Sequence, residues 1–115
     1  VRCSLDGYKF LYNKKSIDGT SKGNIESNPN EKVEGVAILL LENKLNEFIE
    51  KWEKGYEKLE VSLIANNEEF KAYTCISYQK TELSPSKEYV MRIINGAEEN
   101  GLPQEYIVKN IKHKL

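Results

Sequence analysis

Apolar and polar residues recur along the chain in patterns that predict strands in its first two thirds and helices near its end. Arg2–Asn13 alternates in part between the two classes, which indicates a strand. Val33–Leu41 is an almost unbroken apolar run, which favours a central strand covered on both faces. Tyr56–Ala65 and Phe70–Tyr78 alternate again on either side of two asparagines, so they predict a hairpin.

Three helices are predicted from apolar residues at helical spacing and from start and stop signals. Asn43 is the expected cap of a helix that runs to Trp52 or Glu53. Ser84, followed by a proline, is the expected cap of a second helix that ends at an Asn-Gly pair. Pro103 then begins a third.

A polar segment separates the first two predicted strands. Lys14–Lys32 is rich in Ser, Asn, Gly and Lys and predicts a long loop, with room for a short strand at Asn24–Glu26. That loop is either part of a binding surface or a solvated hairpin connection. The order of elements predicts an α+β fold with a largely antiparallel or mixed sheet. At 115 residues, we expect positions 1–115 to form one domain.

Composition and charge exclude several classes of partner. Seventeen basic and eighteen acidic residues nearly cancel, so no strong field draws in nucleic acid or an anionic membrane. No apolar run reaches transmembrane length, and no signal peptide is visible. Cys3 and Cys75 lie far apart in apolar settings that suit buried thiols, which favours a reducing cytoplasm, although one disulfide stays open as an alternative.

Most kinds of reactive site are also excluded by the residues available. The one histidine, His113, lies in a lysine-rich tail, where an exposed and inert role is expected. A catalytic triad, a phosphate-binding loop, a dinucleotide fingerprint and a calcium loop are all missing, so we expect no metal and no cofactor. Acid/base catalysis by a carboxylate, or binding alone, remains.

The end of the first predicted helix supplies a candidate carboxylate. If the apolar residues of this helix form a buried stripe, Glu53 lies about 80° from its centre and Glu50 about 140° from it. Partial burial at the edge of the stripe would raise the affinity of Glu53 for a proton, which suits general acid/base catalysis. The alternative is that both glutamates are solubilising surface charges.

The second half of the chain resembles the gamma-glutamylcyclotransferase-like (AIG2-like) family. The segment Pro85–Ile107, PSKEYVMRIINGAEENGLPQEYI, is similar to the family's closing helix and its GA...NGLP...Y signature. Further similarities follow in the family's order: LDGYKFLYNK at Leu5–Lys14, SKGNIE at Ser21–Glu26 and the VxGV opening at Val33–Val36. The resemblance therefore spans nearly the whole chain.

This resemblance implies a fold and an activity. The expected fold is a small mixed β-barrel with flanking helices and a cavity that holds a gamma-glutamyl group. The expected reaction cyclises a gamma-glutamyl amine or dipeptide to 5-oxoproline and releases the amine, with a glutamate as general acid/base. The implied partner is thus a small gamma-glutamyl compound.

The resemblance also implies site residues. The family's catalytic glutamate lies in an LDxxEG motif, which IEKWE at Ile49–Glu53 resembles, with Glu53 in the catalytic position. Lys54 replaces the glycine, and counting from the central strand requires a one-residue insertion in the helix. Tyr56 and Tyr78 correspond to tyrosines that line the family's substrate cavity.

One family element is missing from these residues. The family's N-terminal strand and YGSN-type loop, which bind the gamma-glutamyl carboxylate and ammonium, have no counterpart, and we expect truncation before Val1. The leading hypothesis is a gamma-glutamylcyclotransferase-like enzyme domain. The alternatives are a non-catalytic binding or regulatory domain on the same fold, and an unrelated interaction module that uses its Tyr and Trp residues.

Overall fold

The described residues form a four-stranded antiparallel sheet and three helices. The computed structural model describes residues 1–52 and 55–115, with the side chains of Glu42 and Trp52 excepted. The elements are β1 (Arg2–Lys15), β2 (Ser21–Val36), α1 (Glu42–Trp52), β3 (Glu57–Ala65), β4 (Glu68–Ile76), α2 (Lys87–Glu99) and α3 (Gln104–Asn110), followed by a short 3-10 turn at Lys112–Lys114. The strand order in the sheet is β2-β1-β3-β4.

The first hairpin is longer than the sequence predicted. β1 pairs with β2 from Arg2 opposite Val36 to Lys15 opposite Ser21, so most of the predicted 14–32 loop is strand. The prediction was wrong because inward-facing positions of β2 carry polar residues: Ser21 and Asn24 are both buried. A polar inner face hides the alternation by which a strand is recognised.

Two irregularities bend β1. Its register against β2 shifts between Asp6 and Tyr8, where Gly7 has a φ of 82°, and again between Tyr12 and Lys14. At the first shift, Gly7 of β1 lies opposite four residues of β2, positions 28–31, so the extra residues belong to β2. At the second shift, Asn13 of β1 has no direct partner, as in a β-bulge, and bulges of this kind redirect neighbouring side chains.

The sheet is not closed into a barrel. Among the described residues, β1 and β3 form a single register pair, Ser4 opposite Ile64. The α+β fold class is confirmed, with an open, antiparallel sheet in the part of the chain that the structure describes.

The second hairpin confirms the sequence prediction. β3 and β4 pair from Glu57 opposite Ile76 to Ala65 opposite Glu68. Asn66 and Asn67 form the two-residue turn with φ values of 52° and 64°. Asparagine tolerates this left-handed region better than most residues, and two such residues suit a tight hairpin turn.

The helices α2 and α3 pack against β1 and close the larger core. Val90, Ile94 and Ala97 of α2 meet Tyr12 of β1 and Ile107 of α3 in one buried cluster. Burial raises the pKa of Tyr12, whose hydroxyl donates to the carbonyl of Ile111 at 3.2 Å. A smaller cluster joins the strands themselves: Leu5, Ile25, Val61 and Ile76.

The helix boundaries agree with the sequence signals in part. Ser86, and not Ser84, caps α2 by accepting from the backbone N–H of Tyr89 at 3.2 Å. Asn43 lies inside α1, so its predicted capping role is also wrong. The Asn100-Gly101 stop and the Pro103 start are confirmed at the end of α2 and the beginning of α3.

The apolar run Val33–Leu41 is not the buried central strand that was predicted. Backbone pairing continues only to Ala37, whose N–H donates to the carbonyl of Val1 at 2.8 Å. Ile38 and Leu39, in the coil before α1, are 69% and 99% exposed. Among the described residues no strand lies alongside this coil, so its apolar side chains face an open groove.

Candidate functional site

A cavity of about 920 Å³ lies against the sheet. Residues from all four strands, from the coil after β2 and from α1 line it, and most are apolar. Leu45 and Phe48 of α1 line the cavity from the helix side. Because these apolar residues face the cavity, the predicted buried stripe of α1 is only partly covered, and Phe48 is 40% exposed. A cavity of this size suits a small-molecule ligand.

The polar part of the cavity wall is built around Gly23 of β2. The Tyr56 hydroxyl donates to the Gly23 carbonyl, and the Gly23 N–H donates to the Tyr89 hydroxyl at 2.9 Å. All three residues line the cavity. The N–H and the carbonyl of Gly23 are thus both hydrogen-bonded to tyrosine hydroxyls. Gly23 therefore positions the two phenols and forms part of the cavity wall.

Close packing explains why position 23 is glycine. A Cβ at this position would lie 2.9 Å from the ring of Phe10 and 3.1 Å from the Tyr89 hydroxyl. Contacts that short require a neighbour to move. The absence of a side chain therefore allows both tyrosines to approach the backbone.

Asn24, beside Gly23, ties β2 to the segment after β4. Its side-chain oxygen accepts from the Ser77 N–H, and its amide nitrogen donates to the Ser77 carbonyl, both at 2.9 Å. The same nitrogen donates to Asn13 at 3.0 Å, and Asn13 in turn donates to Glu26. Since Asn24 is only 3% exposed, these bonds satisfy a buried amide and make this wall rigid.

Glu26 ends this network at the surface. The Lys80 ammonium bonds to its carboxylate and lowers the pKa of Glu26 below the usual value of 4.5. Asn13 adds a second, weaker contribution in the same direction. The network thus runs from an ion pair at the surface to a lining residue of the cavity.

A buried lysine lies behind Tyr56. The Lys14 ammonium is 5.0 Å from the centroid of the Tyr56 ring, and Lys14 as a whole is 7% exposed. Gly55 has a φ of 85°, and a Cβ there would lie 2.9 Å from the Lys14 Nζ. Glycine at position 55 therefore meets both a backbone and a packing requirement.

The three predicted site residues, Glu53, Tyr56 and Tyr78, differ in where they lie relative to the cavity and to the described residues. Glu53 lies outside the described residues. Tyr56 lines the cavity, where it is half-buried. Tyr78 is 63% exposed and is not among the lining residues, so its substrate-binding role stays a prediction.

Sequence reasoning missed three lining residues of this wall. Gly23 and Asn24 lay in the predicted loop, and Tyr89 was not singled out. The available signal was the SKGNIE match to the family, which includes both β2 residues. Hydrogen bonding across 66 positions, from Gly23 to Tyr89, leaves no local pattern.

Other kinds of site find little support in the described part of the chain. No cluster of three or more His, Cys, Asp or Glu side chains there is arranged to hold a metal ion. No helix among those residues is long and apolar enough to cross a membrane. No disulfide joins Cys3 to Cys75, and burial raises the pKa of the Cys3 thiol. His113 is exposed, as expected.

Comparison with known protein families identifies the family to which this fold and cavity belong. The sequence model of the AIG2-like family matches residues 32–109. The chain therefore belongs to the AIG2-like family. A search of curated proteins found no match.

Solved structures share the fold over nearly the whole chain. A structure of a gamma-glutamyl cyclotransferase is 25% identical, with a TM-score of 0.86 over 99% of this chain and 72% of its own. A structure of the human protein loc79017 gives the same values. YkqA from Bacillus subtilis is also 25% identical, with a TM-score of 0.81 over 98% of this chain and 43% of its own. The fold is therefore that of gamma-glutamyl cyclotransferase.

Proposed function

We propose that this domain cyclises a gamma-glutamyl amine or dipeptide to 5-oxoproline and releases the amine. The observation that carries the proposal is the cavity beside Gly23, in a chain with the gamma-glutamyl cyclotransferase fold. Tyr56 forms part of its wall and follows Glu53 by three positions in the sequence. The proposed site of action is the cytoplasm, because the chain holds two cysteines without a disulfide.

The reaction is an internal displacement. The α-amino nitrogen of the substrate attacks its own γ-carbonyl carbon, a new C–N bond closes the five-membered ring, and the C–N bond to the departing amine breaks. Because the nucleophile and its target belong to one molecule, the protein has to hold a folded conformer and move protons.

Glu53 is the proposed proton carrier. Its carboxylate takes a proton from the substrate ammonium, which frees the nitrogen lone pair for attack. The same proton then passes to the departing nitrogen, so the glutamate ends in its starting state. The second proton that the attacking nitrogen loses on becoming the lactam N–H is taken up by the released amine, which leaves as its ammonium. Tyr56, held by Gly23, and Tyr78 are the proposed substrate-binding residues.

The test compares two glutamates of the same region. We expect intact protein to release 5-oxoproline from gamma-glutamyl-alanine or a gamma-glutamyl alkylamine, and Glu53→Gln to lower this rate by about 100-fold or more, as loss of a general acid/base does. Glu50→Gln is the matched control, because Glu50 is exposed on α1 and should keep the rate. The rate of 5-oxoproline release by each protein is measured by chromatography.

Two outcomes would reject the enzymatic proposal or its assignment. A Glu53→Gln variant with the full rate would show that another group moves the proton. Intact protein that releases no 5-oxoproline but binds the substrates would favour the second candidate, a binding or regulatory domain, which the same cavity supports.

A further inference from the structure

The cavity continues from the polar wall at Gly23 onto an apolar floor. Gly23 and Ile25 lie two positions apart in β2, so they face the same side of the strand and are separated along it by about 7 Å. Phe10, opposite Ile25 in β1, also lines the cavity. Four apolar lining residues form the floor: Leu5, Ile25, Val33 and Leu63.

The floor is held in place by the smaller core of the strands. Leu5 and Ile25 are each 7% exposed and belong to that core cluster, and Val33 and Leu63 pack against it. Side chains in a packed cluster have little room to move when a ligand enters. The floor is therefore a preformed apolar surface beside the polar wall.

The coil before α1, together with α1, adds an apolar rim to the cavity. Leu39 of the coil and Leu45 and Phe48 of the helix line the cavity and form this rim. Leu39 is 99% exposed and Phe48 is 40% exposed. An apolar ligand that lies against these side chains removes them from water, and this burial favours binding.

The volume of the cavity leaves room beyond the reacting group. At about 920 Å³ it lies near the upper end of the range of about 300–1,000 Å³ that is typical for drug-sized ligands. The ammonium, carboxylate and amide of a gamma-glutamyl group lose hydration against an apolar surface, so they favour the polar wall, where Gly23, Asn24, Tyr56 and Tyr89 lie. The apolar part of the cavity is then left for the amine that departs.

We propose that the amine released from the substrate carries an apolar group, which binds between the floor and the rim. The inference deepens the proposed function and rests on it for the reacting end of the substrate. It gives Leu45 and Phe48 a role in substrate specificity and no role in the chemical step.

The first experiment varies only the length of the departing group. The substrates are gamma-glutamyl n-alkylamines from methylamine to hexylamine, whose alkyl groups are uncharged. We expect kcat/KM to rise about two- to fourfold with each added methylene group, as burial of that group predicts. The rise should come from a lower KM at nearly constant kcat, because the alkyl group makes the same contacts in the ground state and the transition state.

The second experiment removes part of the rim. Phe48→Ala and Leu45→Ala should each lower kcat/KM for the hexylamine substrate by about fivefold or more and leave that for the methylamine substrate nearly unchanged. Met91→Ala is the matched control, because Met91 lies on α2, is 38% exposed and is not among the lining residues. Phe48→Leu, which stays apolar, should keep most of the preference for the longer chain.

Three results would overturn the inference. Equal kcat/KM for the methylamine and hexylamine substrates in intact protein would show that no apolar surface contacts the departing group. Unchanged chain-length dependence in both rim variants would place the alkyl group elsewhere. An equal loss for both substrates in both rim variants, with a lower melting temperature, would make the rim structural.

Equilibrium binding of the same series separates this inference from the proposed function. Calorimetry on Glu53→Gln protein measures binding without relying on turnover. Affinity that rises with chain length, together with no release of 5-oxoproline by intact protein, would reject the proposed function and leave the apolar ligand standing. Release of 5-oxoproline at rates independent of chain length would support the proposed function and reject this inference.

Discussion

At the scale of single residues, one glycine organises the polar wall of the cavity. Tyr56 and Tyr89 bond to opposite backbone groups of Gly23, and the ring of Phe10 closes over it. Each phenol belongs to a different part of the chain, one to the segment before β3 and one to α2. The wall therefore depends on a position that carries no side chain.

We expect Gly23→Ala to destabilise the protein by about 1–3 kcal/mol, the usual effect of forcing a methyl group into a packed region. The matched control is Gly96→Ala, inside α2, where a Cβ meets nothing within 4 Å. That change should stabilise the protein by about 0.5–1 kcal/mol, because alanine favours the helix. Urea unfolding of both variants measures the difference; a neutral Gly23→Ala would contradict the packing argument.

Sequence reasoning identified Tyr56 but not the two residues beside it. The resemblance to the family implied a cavity-lining tyrosine at position 56, and Tyr56 does line the cavity. Gly23 and Asn24 gain their roles from partners at Tyr89 and Ser77, on elements far away in sequence. Such roles follow from the folded arrangement, which a single sequence does not reveal.

At the scale of elements, hairpins and helix ends were the easier predictions. The paired asparagines at the β3–β4 turn and the Asn-Gly stop of α2 act through local backbone chemistry, which the sequence displays directly. The polar inner face of β2 and the exposed coil at positions 38–41 depend on which elements lie alongside. Apolar composition alone does not say whether a strand has a neighbour.

The stability of the β3–β4 turn should depend strongly on which small residue occupies position 67. Asn67 has a φ of 64°, which disfavours a Cβ-bearing residue other than asparagine or aspartate. We expect Asn67→Ala to destabilise the protein by about 1 kcal/mol, whereas Asn67→Gly should be neutral or stabilising. Thermal unfolding measures both; equal effects of the two changes would exclude a backbone origin.

At the scale of the whole molecule, two regions differ in how well they are covered. The helical side buries Val90 and Ile107 completely. The side of the open groove leaves Ile38, Leu39 and Leu41 at least 69% exposed. β1 and β3 share one register pair in the described chain, and the barrel expected from the resemblance is an open sheet here.

Leu39 should contribute to self-association and not to folding. Because the side chain is 99% exposed, Leu39→Lys has little burial to lose and should change the free energy of unfolding by less than about 0.5 kcal/mol. It should reduce association at high concentration, measured by light scattering. The control Ile94→Ala, at 2% exposure, should cost about 2–5 kcal/mol. A comparable loss in Leu39→Lys would mean that Leu39 is covered in solution.

The bond from the Gly23 N–H to the Tyr89 hydroxyl also makes one amide proton a reporter of a distant helix. Exchange of that proton with deuterated water requires the phenol of α2 to withdraw from β2. Its exchange rate, read from one nuclear magnetic resonance signal, therefore follows detachment of α2 from the sheet, while neighbouring amides of the hairpin follow fraying of the strands.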